Sequence, residues 1–175
     1  MNSKIISLVK KTFSKELKNK EIIDIIIFGS STKGKASPED IDIAVIAEKN
    51  FDKKIEGFHI SVLKPKDFVT DQPSLINTLL REGYSIRHNK RFAELYRFTS
   101  KVMFLYDLSL FKNTEKVKIV SVLRGKNKQK GFVEQNNGEW LGNGIFSVDP
   151  DISALFEKMF INFKMPYKKR YILMH

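Results

Sequence analysis

Residues 22–46 constrain the fold more than any other part of the chain, because they combine two apolar runs with a glycine-containing turn. The first run, residues 22–28, is short and rich in β-branched isoleucine, which predicts a buried strand. Gly29-Ser30 then predicts a turn that leads into the start of a helix. A second apolar run begins at Asp40-Ile41-Asp42. The segment is therefore expected to form a strand, a turn and a second strand.

Two acidic residues open the second run. Asp40 and Asp42 are two positions apart, so on a strand both carboxylates point to one face of the sheet. Neighbouring carboxylates repel each other unless a cation lies between them. Mg²⁺ typically takes one or two carboxylates and completes its coordination with water and phosphate oxygens. The pair therefore predicts a magnesium site, with Mn²⁺ as an alternative ion.

The turn carries groups that suit a phosphate. Gly29 lets the backbone approach a ligand closely, and Ser30 offers a hydroxyl group. Backbone N–H groups at the start of the following helix would face an anion. A phosphate at the turn, beside a metal ion at the two acids, describes a binding site for a nucleoside triphosphate.

The order and spacing of these elements resemble the DNA polymerase β-like nucleotidyltransferase superfamily. Its signature is a hydrophobic residue, Gly-Ser or Gly-Gly, a spacer of this length, and then Asp-hydrophobic-Asp-hydrophobic. Gly34, within GSSTKG, is similar to the minimal nucleotidyltransferase type. The resemblance covers roughly residues 1–89 and implies an α/β (α+β) fold with a mixed sheet and helices.

The same resemblance implies a function. Members transfer a nucleoside monophosphate from a nucleoside triphosphate to an acceptor hydroxyl, and they depend on Mg²⁺. The acceptor would be a nucleic acid end (RNA or DNA), a protein side chain or a small molecule. Lys33 and Lys35 would assist nucleotide binding electrostatically.

The third predicted strand, residues 58–63, departs from the superfamily pattern. Active members usually present a third carboxylate there, whereas this chain has His59 or Ser61 at that position. Histidine is a common general base near neutral pH, which makes His59 a candidate catalytic residue. A lone histidine on a strand face is, however, more often a polar surface residue. Two alternatives stay open: a catalytically degenerate protein that acts as a nucleic-acid-binding module, and a subunit whose partner completes the site.

Helical periodicity predicts helices over residues 3–18 and from about residue 73 to Glu82, with Gly83 as a stop signal. The nucleotidyltransferase-like domain is expected to span residues 1–89. A connecting helix is predicted over residues 90–100, followed by a basic α+β domain over residues 101–175.

The second half reads as βαββαβ, an order that many RNA-binding modules share. Its central hairpin is predicted around Asn136-Asn137-Gly138, a strong turn signal. Residues 103–108 resemble the first strand of RNA-recognition domains, but the third strand has only Phe146 near the expected aromatic positions. The likeness is architectural, and it supplies no base-stacking residues.

Charge is distributed unevenly. The chain has a net charge of +11, of which residues 86–175 supply +9 through 17 Lys/Arg against 8 Asp/Glu. A basic half beside a nucleotide site favours a nucleic acid partner, although a lysine-rich solvated surface has the same composition. The loop 124–131 is the sharpest concentration of charge. Its candidate phosphate contacts are Arg124, Lys126, Lys128 and Lys130.

Composition also excludes several classes of protein. The chain has no cysteine, which rules out disulfides, cysteine-based zinc sites and thiol catalysis. Lys4, Lys10 and Lys11 interrupt the first apolar positions, so no signal peptide is predicted. No apolar run approaches the length of a membrane span. The protein is expected to be soluble and cytoplasmic.

Overall fold

The computed structural model describes residues 3–32, 40–49, 51–70, 74–127 and 129–175. The chain divides into two compact units. The first contains residues 1–100 together with 173–175, and the second contains residues 101–172. Each unit has its own sheet and its own hydrophobic core.

The first unit is built on a mixed five-stranded sheet. Its helices and strands are α1 (Ser3–Thr12), β1 (Ile22–Phe28), β2 (Ile41–Ala47), β3 (Phe58–Leu63), α2 (Ser74–Glu82), β4 (Tyr84–Ser85) and β5 (Lys90–Arg91). The strand order is β3-β2-β1-β4-β5, with β1 and β2 antiparallel and β2 and β3 parallel. The predicted mixed sheet with helices is confirmed.

Both faces of this sheet are covered. Val9 and Phe13, on and just after α1, pack against one face. Ile76 and Leu79 on α2 pack against the other. Because β1 and β2 are buried on both faces, their sequences are almost continuously apolar rather than alternating.

Two helix predictions need correction. The N-terminal helix ends at Thr12, and a 3₁₀ turn at Glu16–Lys18 replaces its predicted last turn. Residues 90–100 form no single connecting helix: β5 pairs with β4, and a 3₁₀ helix follows at Phe92–Tyr96. The cause is Phe92, which is only 2% exposed and belongs to the core of the first unit.

The second unit has the predicted βαββαβ order. Its elements are β6 (Thr99–Tyr106), α3 (Asn113–Arg124), the single-turn α4 (Phe132–Gln135), β7 (Glu139–Gly142), β8 (Ile145–Val148), α5 (Ser153–Asn162) and β9 (Tyr167–Met174). The strand order is β7-β8-β6-β9. This order confirms the predicted α+β sandwich.

The hairpin of the second unit turns at a different place from the one predicted. Asn137 and Gly138 end α4 instead: Asn137 has φ +54°, and the Gly138 N–H donates to the Val133 carbonyl at 2.8 Å. β7 and β8 are joined at residues 143–144, where Gly144 has φ +71°. An Asn-Gly pair occurs at both places, so the turn signal alone does not choose between them.

The aromatic side chains of the second sheet lie on its helix-facing side. Phe104 and Phe146 are cross-strand partners in the core, with ring centroids 5.5 Å apart. Because successive strand residues face opposite sides, Met103, Leu105 and Ile145 lie on the other face. That face of β6 and β8, which also includes Lys101 and Ser147, therefore presents no aromatic rings.

Candidate active site

Asp42 is the centre of the candidate site. It lies on β2, opposite Phe28 of β1 on one side and His59 of β3 on the other. Its side chain is 29% exposed, so the carboxylate sits at a solvent-facing end of the sheet rather than in the core. Both neighbouring strands thus fix its backbone, while its oxygens stay accessible.

Gly29 is required where it is for two reasons. Its φ is +72°, a backbone conformation that favours glycine. In addition, a β-carbon at this position would lie 2.2 Å from Oδ2 of Asp42. The turn after β1 and the carboxylate on β2 are therefore in direct contact, and any side chain on residue 29 would displace the carboxylate.

His59 lies beside Asp42 because β2 and β3 are parallel and in register at these two residues. Its Nδ1 is 3.3 Å from Oδ1 of Asp42, and its side chain is 71% exposed. The two oxygens of Asp42 thus have different neighbours, His59 at Oδ1 and the Gly29 turn at Oδ2.

Asp40 lies outside the strand. It occupies an exposed bend before β2, so the prediction that both acids project from one strand face is wrong for Asp40. The cause is the end of β1: Phe28 pairs with Asp42, and the chain then leaves the sheet at Gly29. No β1 residue remains to pair with Asp40.

The turn itself is a single 3₁₀ turn, Gly29–Thr32. The Thr32 hydroxyl donates to the Gly29 carbonyl at 2.8 Å and closes the turn from inside. Ser30 is partly exposed, whereas Ser31 is 1% exposed and its hydroxyl has no hydrogen-bond partner among the described residues. Lys33, Gly34 and Lys35 lie outside the described residues.

Ser31 is a residue that the sequence analysis missed. A buried hydroxyl without a partner is uncommon, and its position directly after Ser30 places it in the candidate nucleotide-binding turn. The only signal in the sequence is the doubled serine of Gly-Ser-Ser, and nothing in that doubling predicts which hydroxyl is buried.

The carboxylate oxygens of the site suit one hard cation whose remaining ligands are water and substrate phosphate oxygens. Asp42 offers Oδ2 beside the turn, and Asp40 offers a second carboxylate shortly before it in the chain. The described residues contain no cluster of three or more His, Cys, Asp and Glu side chains that would form a complete metal site. Mg²⁺ commonly binds through one or two carboxylates together with substrate phosphates, which fits this donor set.

The candidate phosphate-binding loop of the second unit is tightly folded. A β-carbon on Gly125 would lie 1.9 Å from the Gln129 carbonyl oxygen, and one on Gly131 would lie 2.2 Å from the Arg124 carbonyl carbon. The two glycines therefore bring the ends of the loop together. Lys126 and Lys130 project from it exposed, and Lys128 lies outside the described residues.

Arg124 is held differently from the loop lysines. Its guanidinium lies 3.8 Å from the ring centre of Trp140 and donates a hydrogen bond to the Gly142 carbonyl at 3.2 Å. These contacts tie the end of α3 to β7.

Comparison with known proteins agrees with the geometry of the first unit. Residues 9–91 match the family described as "Polymerase beta, Nucleotidyltransferase". Neither the curated proteins nor the solved structures contain a match to the chain. Across the described residues, no helix combines the length and the apolar character needed to cross a membrane. The match covers β1, the Gly29 turn, β2 and β3 together, and it identifies residues 9–91 as a polymerase β-like nucleotidyltransferase domain.

Proposed function

We propose that the protein is a Mg²⁺-dependent nucleotidyltransferase that moves a nucleoside monophosphate from a nucleoside triphosphate to an acceptor hydroxyl. The observation that carries this proposal is the contact between the Gly29 turn and the Asp42 carboxylate, where a β-carbon would meet Oδ2 at 2.2 Å. A phosphate at the turn and a cation at the carboxylate would then be neighbours. The family match over the same residues supports the assignment.

The residues have separate roles in this proposal. Gly29 and Ser30 bind the triphosphate, with Lys33 and Lys35 contributing positive charge, and Asp40 and Asp42 hold the cation. When bound, Mg²⁺ supplies charge neutralisation for the phosphate oxygens. The acceptor oxygen forms a bond to the α-phosphorus, the bond to the departing pyrophosphate breaks, and the hydroxyl proton passes to a base. His59 is the candidate base because it lies beside Asp42.

A second function has its own supporting observation. The described residues hold no three-member cluster of potential metal ligands, and β3, the strand on which the resemblance leads us to expect a third carboxylate, places an exposed histidine beside Asp42. This favours a protein that retains nucleotide binding but not transfer, and that acts as a nucleic-acid-binding module. The basic charge of residues 86–175 suits that role.

A transfer assay separates the two functions. The chain is incubated with each nucleoside triphosphate labelled at the α-phosphate, with Mg²⁺ or Mn²⁺, and with RNA, DNA or protein acceptors in turn. If the protein is a nucleotidyltransferase, wild type should transfer label to one of the acceptors, and Asp42→Asn should transfer none. The matched control is Glu48→Gln, an exposed acid that follows the opposite end of β2. If Mg²⁺ and nucleotide bind but every acceptor stays unlabelled, the degenerate binding module is supported instead.

A further inference from the structure

The outer face of α3 presents an unusual combination of side chains. Only a narrow line of this helix reaches the core, through Ile119 and Leu123. On the opposite side Val117 is 69% exposed, and Val122, at the edge of the buried line, is 41% exposed. Aliphatic residues at this exposure are common singly, but here they lie together in one groove.

The groove has a volume of about 560 Å³ and is lined along its length by donors. Thr114, Lys118 and Ser121 line it at intervals of four and three residues, so they follow one face of the helix. Lys126 lines the end nearest the loop. Successive groups are about one helical turn apart, or roughly 5 Å along the axis.

The loop after α3 holds its lysines in place. The close backbone contacts of Gly125 and Gly131 bring the two ends of the loop together, and the Gln129 N–H donates to the Lys126 carbonyl at 3.0 Å. Neither Lys118 nor Lys126 forms an ion pair with any described residue. Their charges are therefore available to a partner.

The groove also contains one acidic residue, Glu115, but its carboxylate does not neutralise the lysine charge. Glu115 lines the groove near the start of α3, and its carboxylate accepts a hydrogen bond from the Lys112 backbone N–H at 3.0 Å. It therefore caps the helix rather than pairing with Lys118.

The sheet of the same unit is a poorer surface for nucleic acid. Single-stranded RNA bound on a sheet of this architecture is held by exposed aromatic rings that stack on the bases. Here Phe104 and Phe146 are fully buried under the helices, and the other face of β6 and β8 carries no aromatic ring. Base stacking on this sheet would have no ring to use among those strand residues.

We propose that the outer face of α3, together with Lys126 and Lys130 of the loop that follows it, binds the sugar–phosphate backbone of single-stranded RNA. Lys118, Lys126 and Lys130 contact phosphates, and Thr114 and Ser121 hydrogen-bond along the strand. Val117 and Val122 cover the apolar edges of the riboses. Phosphate contacts carry no base information, so this binding tolerates any sequence.

The choice of RNA rests on the hydroxyl groups. Lysine can only donate a hydrogen bond, whereas the Thr114 and Ser121 hydroxyls can also accept one. A ribose 2′-OH donates such a bond, and deoxyribose lacks it. This inference does not depend on nucleotidyl transfer, because a chain that transfers nothing can still bind RNA.

The test measures binding of the full chain to a fluorescently labelled single-stranded RNA of mixed sequence over a series of salt concentrations. The variant replaces Lys118, Lys126 and Lys130 by Ala. Losing three phosphate contacts should weaken binding and flatten the slope of log affinity against log salt by about 2. Ser121→Ala should reduce the preference for RNA over DNA of the same sequence.

The matched control removes equal charge from α5 and β9 of the same unit, through Lys158→Ala, Lys168→Ala and Arg170→Ala, all exposed in the wild type. It should keep nearly the wild-type salt slope. An equal loss in both triple variants would overturn the proposal, because only net charge would then matter. It is also overturned if DNA binds as tightly as RNA, or if an oligoglutamate peptide competes as well as RNA.

Discussion

Gly29 and Asp42 are in steric contact. The turn can lie this close to the Asp42 carboxylate only because Gly29 has no β-carbon. Oδ2 of Asp42 occupies the space that a side chain on residue 29 would need. Because this oxygen is the end of a flexible side chain, it can rotate away at little cost to folding. The consequence of a substitution should therefore appear in ligand binding more than in stability.

Gly29→Ala tests this coupling. Alanine at this positive φ should lower the free energy of unfolding by about 1 kcal/mol. Displacement of the Asp42 carboxylate should abolish Mg²⁺-dependent nucleotide binding. Gly57→Ala is the matched control, since Gly57 has φ +76° but no atom within 4 Å of a β-carbon. Thermal unfolding should show similar losses in both variants, and calorimetry should show lost binding only in Gly29→Ala. Equal nucleotide affinity in the two would contradict the coupling.

His59 can be tested for two separate roles. If it positions Asp42, then His59→Ala should lower Mg²⁺·nucleotide affinity about tenfold. His59→Asn should preserve that affinity, because the amide nitrogen of Asn can donate from nearly the place of Nδ1. A base role predicts instead that His59→Asn binds normally but fails to transfer the nucleotide. If neither variant changes affinity or transfer, His59 is a surface residue.

Asp24 should make the first unit less stable as pH rises. It is 2% exposed, and Oδ1 accepts the Ile25 N–H, whereas Oδ2 has no hydrogen-bond partner among the described residues. Burial raises the pKa of this carboxyl, despite opposing contributions from Ser85, the Ile25 and Arg87 backbones and His88. The charge of Asp24 in turn adds to burial in raising the pKa of Tyr96.

The raised pKa of Asp24 determines the direction in which stability changes with pH. The folded state holds the Asp24 proton more tightly than the unfolded state does. The contribution of Asp24 to stability is therefore greatest below its unfolded pKa of about 4 and is lost as pH rises through the folded pKa. Asp24→Asn should therefore have a higher Tm than wild type at neutral pH, and the difference should vanish on acidification. Asp107→Asn should behave in the opposite way, with a lower Tm than wild type at neutral pH and a difference that vanishes on acidification. The reason is that hydrogen bonds from Ser109 lower the pKa of the Asp107 carboxyl. A Tm difference for Asp24→Asn that does not change with pH would contradict this account.

At the scale of elements, Arg124 joins α3 to β7 and is not part of the proposed RNA surface. Its guanidinium lies over Trp140, the single tryptophan of the chain. Arg124→Gln should lower the stability of the second unit by about 1 kcal/mol and change the native fluorescence of Trp140. Lys118→Gln removes the same charge from the same helix without touching the ring. If both variants leave the fluorescence and stability unchanged, the stacking contributes nothing.

The strands around the site could be predicted because local patterns and tertiary contacts agree there. The isoleucine run of β1 and the alternation of β3 each point to one structure, and β3 duly brings His59 beside Asp42. The position of Asp40 could not be predicted, since it depends on where β1 leaves the sheet. That point is decided by a pairing partner distant in sequence, and the spacing of Asp40 and Asp42 carries no information about it.

The hairpin of the second unit shows a different limit. Asn137-Gly138 and Asn143-Gly144 are equally good turn signals, and only one of them joins two strands. Burial of Val133 determines which pair forms the hairpin. Val133, in the single turn of α4, is fully buried in the core of the second unit. A short apolar segment of this kind is compatible with a strand or a helix until its packing partners are known.

At the scale of the whole molecule, the two units carry different proposed ligands. In the two proposals, nucleotide and Mg²⁺ bind to the first unit, and RNA binds to the basic second unit. Hydrogen exchange read by mass spectrometry should therefore separate them. Mg²⁺·nucleotide should protect peptides from residues 22–46, and RNA should protect peptides from residues 113–131. Protection of the same peptides by both ligands would contradict this division.

The central claim is that metal and triphosphate meet at Asp42 and Gly29. Calorimetric titration of wild type and Asp42→Asn with each nucleoside triphosphate, with and without Mg²⁺, tests it without requiring the acceptor to be known. The account predicts binding to wild type that depends on Mg²⁺, and no such binding to Asp42→Asn at unchanged fold. Equal Mg²⁺-dependent affinity in the two proteins would contradict the assignment of the site.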